Sequence, residues 1–234
     1  LSCTGEVAPK ETGSLMQRVV YLDVLRVLAA FAVVLLHVAV GGWSYFRVDS
    51  LDWQLLNVFN GLSRWCVPVF VMISGSLFLD PAREITIRNL YARHVLRVVC
   101  IIVLWTAALL ALKVAHAVAL HGGASLDLRH SIEYPPGISW FLFMLLGLYA
   151  LTPLLRPVAR DRTALLYVML ASLVVNGAVT CSKLLPQGEW LSEQVKLFGL
   201  ESFLGYIGLY CAGAYFRLYF GSERMRTVLY ALGA

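Results

Sequence analysis

Three ionisable side chains, Asp23, Arg26 and His37, interrupt an apolar run at 21–41 (YLDVLRVLAAFAVVLLHVAVG) that is long enough to cross a bilayer. With Ala30 and Val33 they follow the 3, 4, 3, 4 spacing of a single helix face. Arg26 and His37 are eleven residues apart, about three turns, so they point nearly the same way and lie roughly 16 Å apart along the axis. An Arg at helix-centre depth costs about 2.5–3.5 kcal/mol even on the mildest insertion scale, so such residues face a bundle interior or a water-filled cavity. The imidazole of His37, ionisable near neutral pH, suits a general base, and Arg26 suits an anionic ligand. The spacing equally fits a structural i, i+3 pair of Asp23 with Arg26 at the water interface and a His37 that only fills the core.

Further along lie Arg64, in the middle of the second apolar run with no acid nearby in sequence, and a basic group of Arg88, Arg93, His94 and Arg97 at the start of the third. A buried guanidinium without a partner is costly. Arg64 is therefore expected either to bond helix-end carbonyls or to stabilise substrate charge. The basic group suits a phosphorylated ligand, although most basic residues between spans need no role beyond topology. Ser74-Gly75-Ser76 lacks the strand-turn-helix context of a nucleophile elbow and reads as small residues for close helix packing.

The elements that must position these groups are helices. With 59% hydrophobic and 14% charged residues and a mean hydropathy of +0.74, the chain carries too much apolar surface for a soluble domain of 234 residues. We expect an all-α, polytopic transmembrane helix bundle. Apolar segments near 20–41, 54–79, 91–120, 138–155, 163–182 and 199–220 make about six complete spans, and a seventh starts at 227 and breaks off at Ala234, as in the front part of a larger protein. Residues 1–18 read as a disordered cytoplasmic lead-in to a membrane domain at 19–234, with Met16 as a candidate initiator.

The net charge of +5 does not point to nucleic acid, because the basic residues cluster between apolar runs. Thirteen of the 19 Lys and Arg residues fall on the side holding the N-terminus, five on the other, and Arg64 inside a span. That asymmetry places the N-terminus in the cytoplasm. The five cysteines form no CxxC pair, and neither a disulfide framework nor a metal site is expected.

The run LDVLRVLAAFAVVLLH resembles the first helix of the acyltransferase-3 family of integral-membrane acyltransferases. SRWCVPVFVMISGSLFL at 63–79, LYARHVLRVV at 90–99 and SWFLFMLLGLYALTPLLR at 139–156 are similar to its second, third and fourth helices, in order. The resemblance implies transfer of an acyl group, usually acetyl from cytoplasmic acetyl-coenzyme A, to a hydroxyl of a cell-envelope glycan or lipid-linked sugar. It implies a place in the bacterial inner membrane among membrane lipid, with coenzyme A as a substrate carrier and no bound cofactor. The family's activity-critical Arg and His carry over to Arg26 and His37. Its donor-side basic pair carries over to Arg97 and, less cleanly, Arg93, since the family often shows Arg-x-x-Arg where this chain has one residue more. Asp23 and Arg64 are possible supporting residues.

Acyl transfer to a hydroxyl needs a base, a partner for the oxyanion and a grip on the donor. His37 is the candidate base. Arg26, three turns away, cannot touch the same atom and is assigned to the donor or its channel. Two other readings compete: a transporter, whose permeation path polar intramembrane residues would also serve, and a membrane sensor or transport module of a composite protein.

The charge asymmetry predicts that 80–90 and 156–162 face the cytoplasm and 121–137 faces outward. With single cysteines at Ser125 and Arg160, an impermeant thiol reagent added to intact cells should label the first and spare the second. Labelling at Arg160 alone would reverse the topology.

Overall fold

The computed structural model describes residues 20–43, 45–121, 139–182 and 200–219, which are helices joined by turns and short irregular stretches. The expectations for 1–18, for the start of a seventh span at 227 and for the outward facing of 122–137 lie outside the described residues. The order is α1 (Val20–Gly42), α2 (Leu51–Ser63), α3 (Cys66–Phe78), one turn at Ile87–Asn89, a π-helical stretch at Leu90–Val95, α4 (Leu96–His121), α5 (Ser139–Val158), α6 (Arg162–Ser182) and α7 (Leu200–Tyr219). Five stretches are long and apolar enough to span a membrane: Val20–Gly42, Leu51–Phe78, Ile87–His116, Trp140–Val158 and Arg162–Cys181. The chain is an all-helical membrane protein. Helix α7, which carries Glu201 and Arg217, lies outside that set.

The second apolar segment is not one unbroken helix; it turns at Arg64 and Trp65. Pro68 explains the break. It has no N–H to give the carbonyl of Arg64 four residues earlier, and its ring clashes with that carbonyl.

The chain forms two compact units, 1–66 and 67–234. In the first, α1 and α2 make an antiparallel hairpin. The buried edge of α1 is Leu22, Ala29, Ala32 and Ala39, small residues that allow close approach, and that of α2 is Asn60 and Ser63 with Trp53 and Leu56 half-buried. Gly42 sits against Leu56, where a Cβ would lie 2.7 Å from Leu56 Cδ1. Trp43 stacks on Trp53 at 6.4 Å between ring centroids. Ser50 caps α2, its Oγ accepting from the Trp53 N–H at 3.2 Å, a contact of a kind worth about 1 kcal/mol.

The second unit is held by backbone approach and buried hydroxyls. A Cβ on Gly75 would fall on the carbonyl of Tyr210, and one on Gly213 would fall on the carbonyl of Met72, so α3 and α7 meet main chain to main chain. This bears out the packing role expected of Ser74-Gly75-Ser76. Ser74 and Ser76 turn their hydroxyls to Phe70 and Ile73 carbonyls of their own helix at 2.9 and 2.8 Å. Buried Thr152 on α5 shares a 2.8 Å hydrogen bond with the hydroxyl of buried Tyr210 on α7 and donates to the Leu148 carbonyl. On α6, Ser172 Oγ accepts the N–H of Gly208 at 3.1 Å.

Gly75→Val should therefore force α3 and α7 apart and cost about 1–3 kcal/mol or more, the usual range for overpacking. Gly177→Ala, at a helical position with open space around it, should be neutral or slightly stabilising. Thermal unfolding of the two detergent-solubilised variants checks the contrast.

Candidate functional site

On α1 the first-turn acid Asp23, well placed for the helix dipole, accepts a 2.9 Å ion-pair hydrogen bond from Arg26 Nη1. Both side chains are half-exposed. The pair holds the guanidinium in place yet occupies one of its five donors. Three turns on, exposed His37 holds Nδ1 at 2.8 Å from the carbonyl of Val33. A carbonyl can only accept, so Nδ1 carries a proton, and the neutral ring then has its lone pair on Nε2. The imidazole is thereby oriented and fixed in one tautomer.

These residues do not make one packed face. The edge of α1 that meets α2 runs through Leu22, Ala29, Ala32 and Ala39; Asp23 and Arg26 flank it, and Ala30 and His37 are exposed. Arg64 also departs from expectation. It is exposed rather than buried, and it bonds a side chain rather than a helix-end carbonyl: its Nε donates to Asn60 Oδ1 at 2.9 Å. Asn60 itself is buried, so the guanidinium is anchored at one nitrogen.

In the second unit, Arg93 and Arg97 stand four residues apart and exposed at the start of the third span, with Arg88 exposed one turn before the π-helical stretch. His94 is not part of that basic surface. Its ring packs edge-on against Phe78 at 4.8 Å between centroids, beside Tyr149 on the other contact of Phe78. The π-helical stretch accounts for the sorting. A wider turn reduces the rotation between residues four apart, so Leu90, His94 and Val98 keep to the packed side while Arg93 and Arg97 keep to the other.

Three basic residues that look like plain topology signals in the sequence have a different task. Buried Asp80, just past α3, pairs with Arg217 at the end of α7 at 3.1 Å and with Arg83 at 3.9 Å, and accepts the Ala82 N–H at 3.0 Å. Arg156, near the end of α5, donates to the carbonyl of Phe78 at 3.0 Å and to that of Arg83. One end of the unit is thus tied by charge-assisted bonds to the helix-end carbonyl of Phe78, which has no partner within its own helix, and to the loop carbonyl of Arg83. No spacing rule finds this cluster, since Asp80, Arg156 and Arg217 are far apart in sequence.

Arg26, His37 and Arg64 thus each offer unused hydrogen-bonding capacity at membrane depth, and Arg93 with Arg97 offers an open cationic face. A family model described as an acyltransferase domain matches residues 19–234. No curated protein and no solved structure matches the chain. A match that takes in every described helix, with the Arg26 and His37 pair in the first of them, decides the assignment: the chain belongs to the acyltransferase-3 family of membrane acyltransferases.

Proposed function

We propose that this acyltransferase moves an acetyl group from cytoplasmic acetyl-coenzyme A to a hydroxyl of a cell-envelope glycan or lipid-linked sugar, from the inner membrane and with its N-terminus in the cytoplasm. The observation that supports this reading best is the hydrogen bond from His37 Nδ1 to the Val33 carbonyl, 2.8 Å long, which leaves Nε2 basic and aimed away from its own backbone. Nε2 takes the proton of the acceptor hydroxyl as its oxygen attacks the thioester carbonyl. When the C–S bond breaks, the imidazolium returns the proton to the departing thiolate. Base and acid are then one group, as balanced acyl transfer between a thiol and an alcohol requires.

Arg26, clamped by Asp23, lies about three turns from His37, a span of roughly 16 Å that suits the extended pantetheine arm better than the reacting atoms. Arg93 and Arg97, open to solvent on one side of their helix, are assigned to the phosphates of the donor.

The base assignment predicts that His37→Ala and His37→Gln both lower acyl transfer by about 10²–10⁴-fold while the protein still inserts. Gln can keep a hydrogen bond to Val33 yet cannot take a proton. Acetylated product per inserted protein is the measurement, and near-normal product from His37→Gln would end the assignment.

The donor assignment predicts a different signature. Arg97→Ala should raise the KM for acetyl-coenzyme A and lower kcat less, because a phosphate grip is shared by ground state and transition state. An unchanged KM removes Arg97 from the donor site.

A further inference from the structure

The exposed guanidinium of Arg64 has no part in the chemistry so far. We propose that it is the oxyanion-binding group of the transfer: its free N–H donors receive the negative charge that develops on the thioester carbonyl oxygen. This rests on the acyl-transfer reading above and adds to it a catalytic residue at the C-terminal end of α2.

Depth comes first. Gly42 lies against Leu56 and Trp43 stacks on Trp53, which sets the register of the antiparallel hairpin. Eight residues along α2 from Leu56 lead to Arg64, and eight residues back along α1 from Gly42 lead to Val34. Arg64 is therefore level with the stretch around Val34, about one turn from His37 and about two turns from Arg26, at 5.4 Å per turn.

Direction follows from the buried edges. Counting roughly 100° per residue, Arg26 and His37 each lie about a quarter turn to the same side of the α1 edge formed by Leu22, Ala29, Ala32 and Ala39. Arg64 lies about a sixth of a turn, in the same sense, from the α2 edge formed by Trp53, Leu56, Asn60 and Ser63. In an antiparallel pair, equal senses of rotation lead to the same flank. Arg26, Arg64 and His37 thus project from one flank of the hairpin, with Arg64 between the other two in depth.

Electrostatics supply the rest. The Nε of Arg64 is held by Asn60 Oδ1 at 2.9 Å, and its two Nη groups have no partner among the described residues. A cation anchored on a buried amide and otherwise unsatisfied at mid-membrane depth is costly unless charge arrives to meet it. In the transfer step the attacking hydroxyl oxygen bonds to the carbonyl carbon, its proton passes to His37 Nε2, and the carbonyl electron pair moves to oxygen. That oxygen carries a full negative charge in the tetrahedral intermediate, and Arg64 lies about one turn from the base to meet it. Collapse of the intermediate restores the carbonyl and expels the thiolate, which is reprotonated by His37, so that ester and free thiol are the balanced products.

The test follows thiol release from acetyl-coenzyme A in membranes that carry the native acceptor, per inserted protein. Arg64→Gln should lower kcat by about 10²–10³-fold with little change in KM, the range for loss of an oxyanion donor. Arg64→Lys should retain more activity than Gln, and Arg64→Ala should regain kcat when methylguanidinium is added, a recovery that repair of folding would not mimic. A near-normal kcat in Arg64→Gln, a rise confined to KM, or an inserted Arg64→Ala protein that methylguanidinium does not revive overturns the proposal. His37→Gln assayed beside these separates the two assignments. Loss at His37 with none at Arg64 keeps the base and retires the oxyanion role, and the reverse keeps Arg64 and retires the base.

Discussion

Hydrocarbon offers a charged side chain no partner, so every ion carried on a spanning helix has to find one within the protein or wait for one in a ligand. That constraint sorts the charges here into two groups. Asp80 is met by Arg217, by Arg83 and by a backbone N–H, and Arg156 spends its guanidinium on two carbonyls. Those charges fasten helix ends. Arg26 and Arg64 are each held at a single nitrogen, by Asp23 and by Asn60, and His37 at Nδ1 alone. A group bonded once is oriented by its neighbour and still has donors or a lone pair to offer. Such partial satisfaction is what a binding or reacting side chain needs, and all three examples lie in the α1 and α2 hairpin.

The scaffold of the second unit reaches the same end by a different route. Between α3 and α7, Gly75 and Gly213 bring backbone against backbone, and the buried hydroxyls of Thr152 and Tyr210 bond each other between α5 and α7. Without a hydrophobic drive between helices in lipid, close van der Waals contact and buried hydrogen bonds are the forces that remain. They yield a support with little freedom to shift, and the exposed pair Arg93 and Arg97 stands on it, turned outward by the wider turn of the π-helical stretch.

How much of this could be read from the residues alone depended on the range of each interaction. The helices, the packing role of Gly75 and the i, i+3 spacing of Asp23 with Arg26 are local, and composition and periodicity reveal them. The break at Arg64 was legible in principle from Pro68, whose missing N–H and bulky ring act on the carbonyl four residues before. The anchoring of Arg64 by Asn60 was legible as an i, i+4 pair. The inward turn of His94 was not, because regular α-helical spacing says nothing of a π-helical stretch. Nor was the role of Asp80, whose partner Arg217 lies on another helix far along the chain.

A single flank bearing two arginines and a histidine would also serve a path for an anion, and it is the histidine rather than the charge that distinguishes chemistry from permeation. A permeating ion or substrate gains nothing from a fixed tautomer; a ring free to rotate would donate or accept as needed. Locking Nδ1 on the carbonyl of Val33 removes that freedom and leaves one nitrogen able to take a proton. The hydrogen bond offsets the cost in rotamer entropy, and a fixed tautomer suits a base that must face one particular hydroxyl. On the proposed reading the two arginines are graded by depth in the same way, one about a turn from the base where the oxyanion forms and one about three turns away where the donor arm passes. The hairpin would then be a ruler for a thioester: its chemistry at one mark and its grip at another, both set by the pitch of one helix.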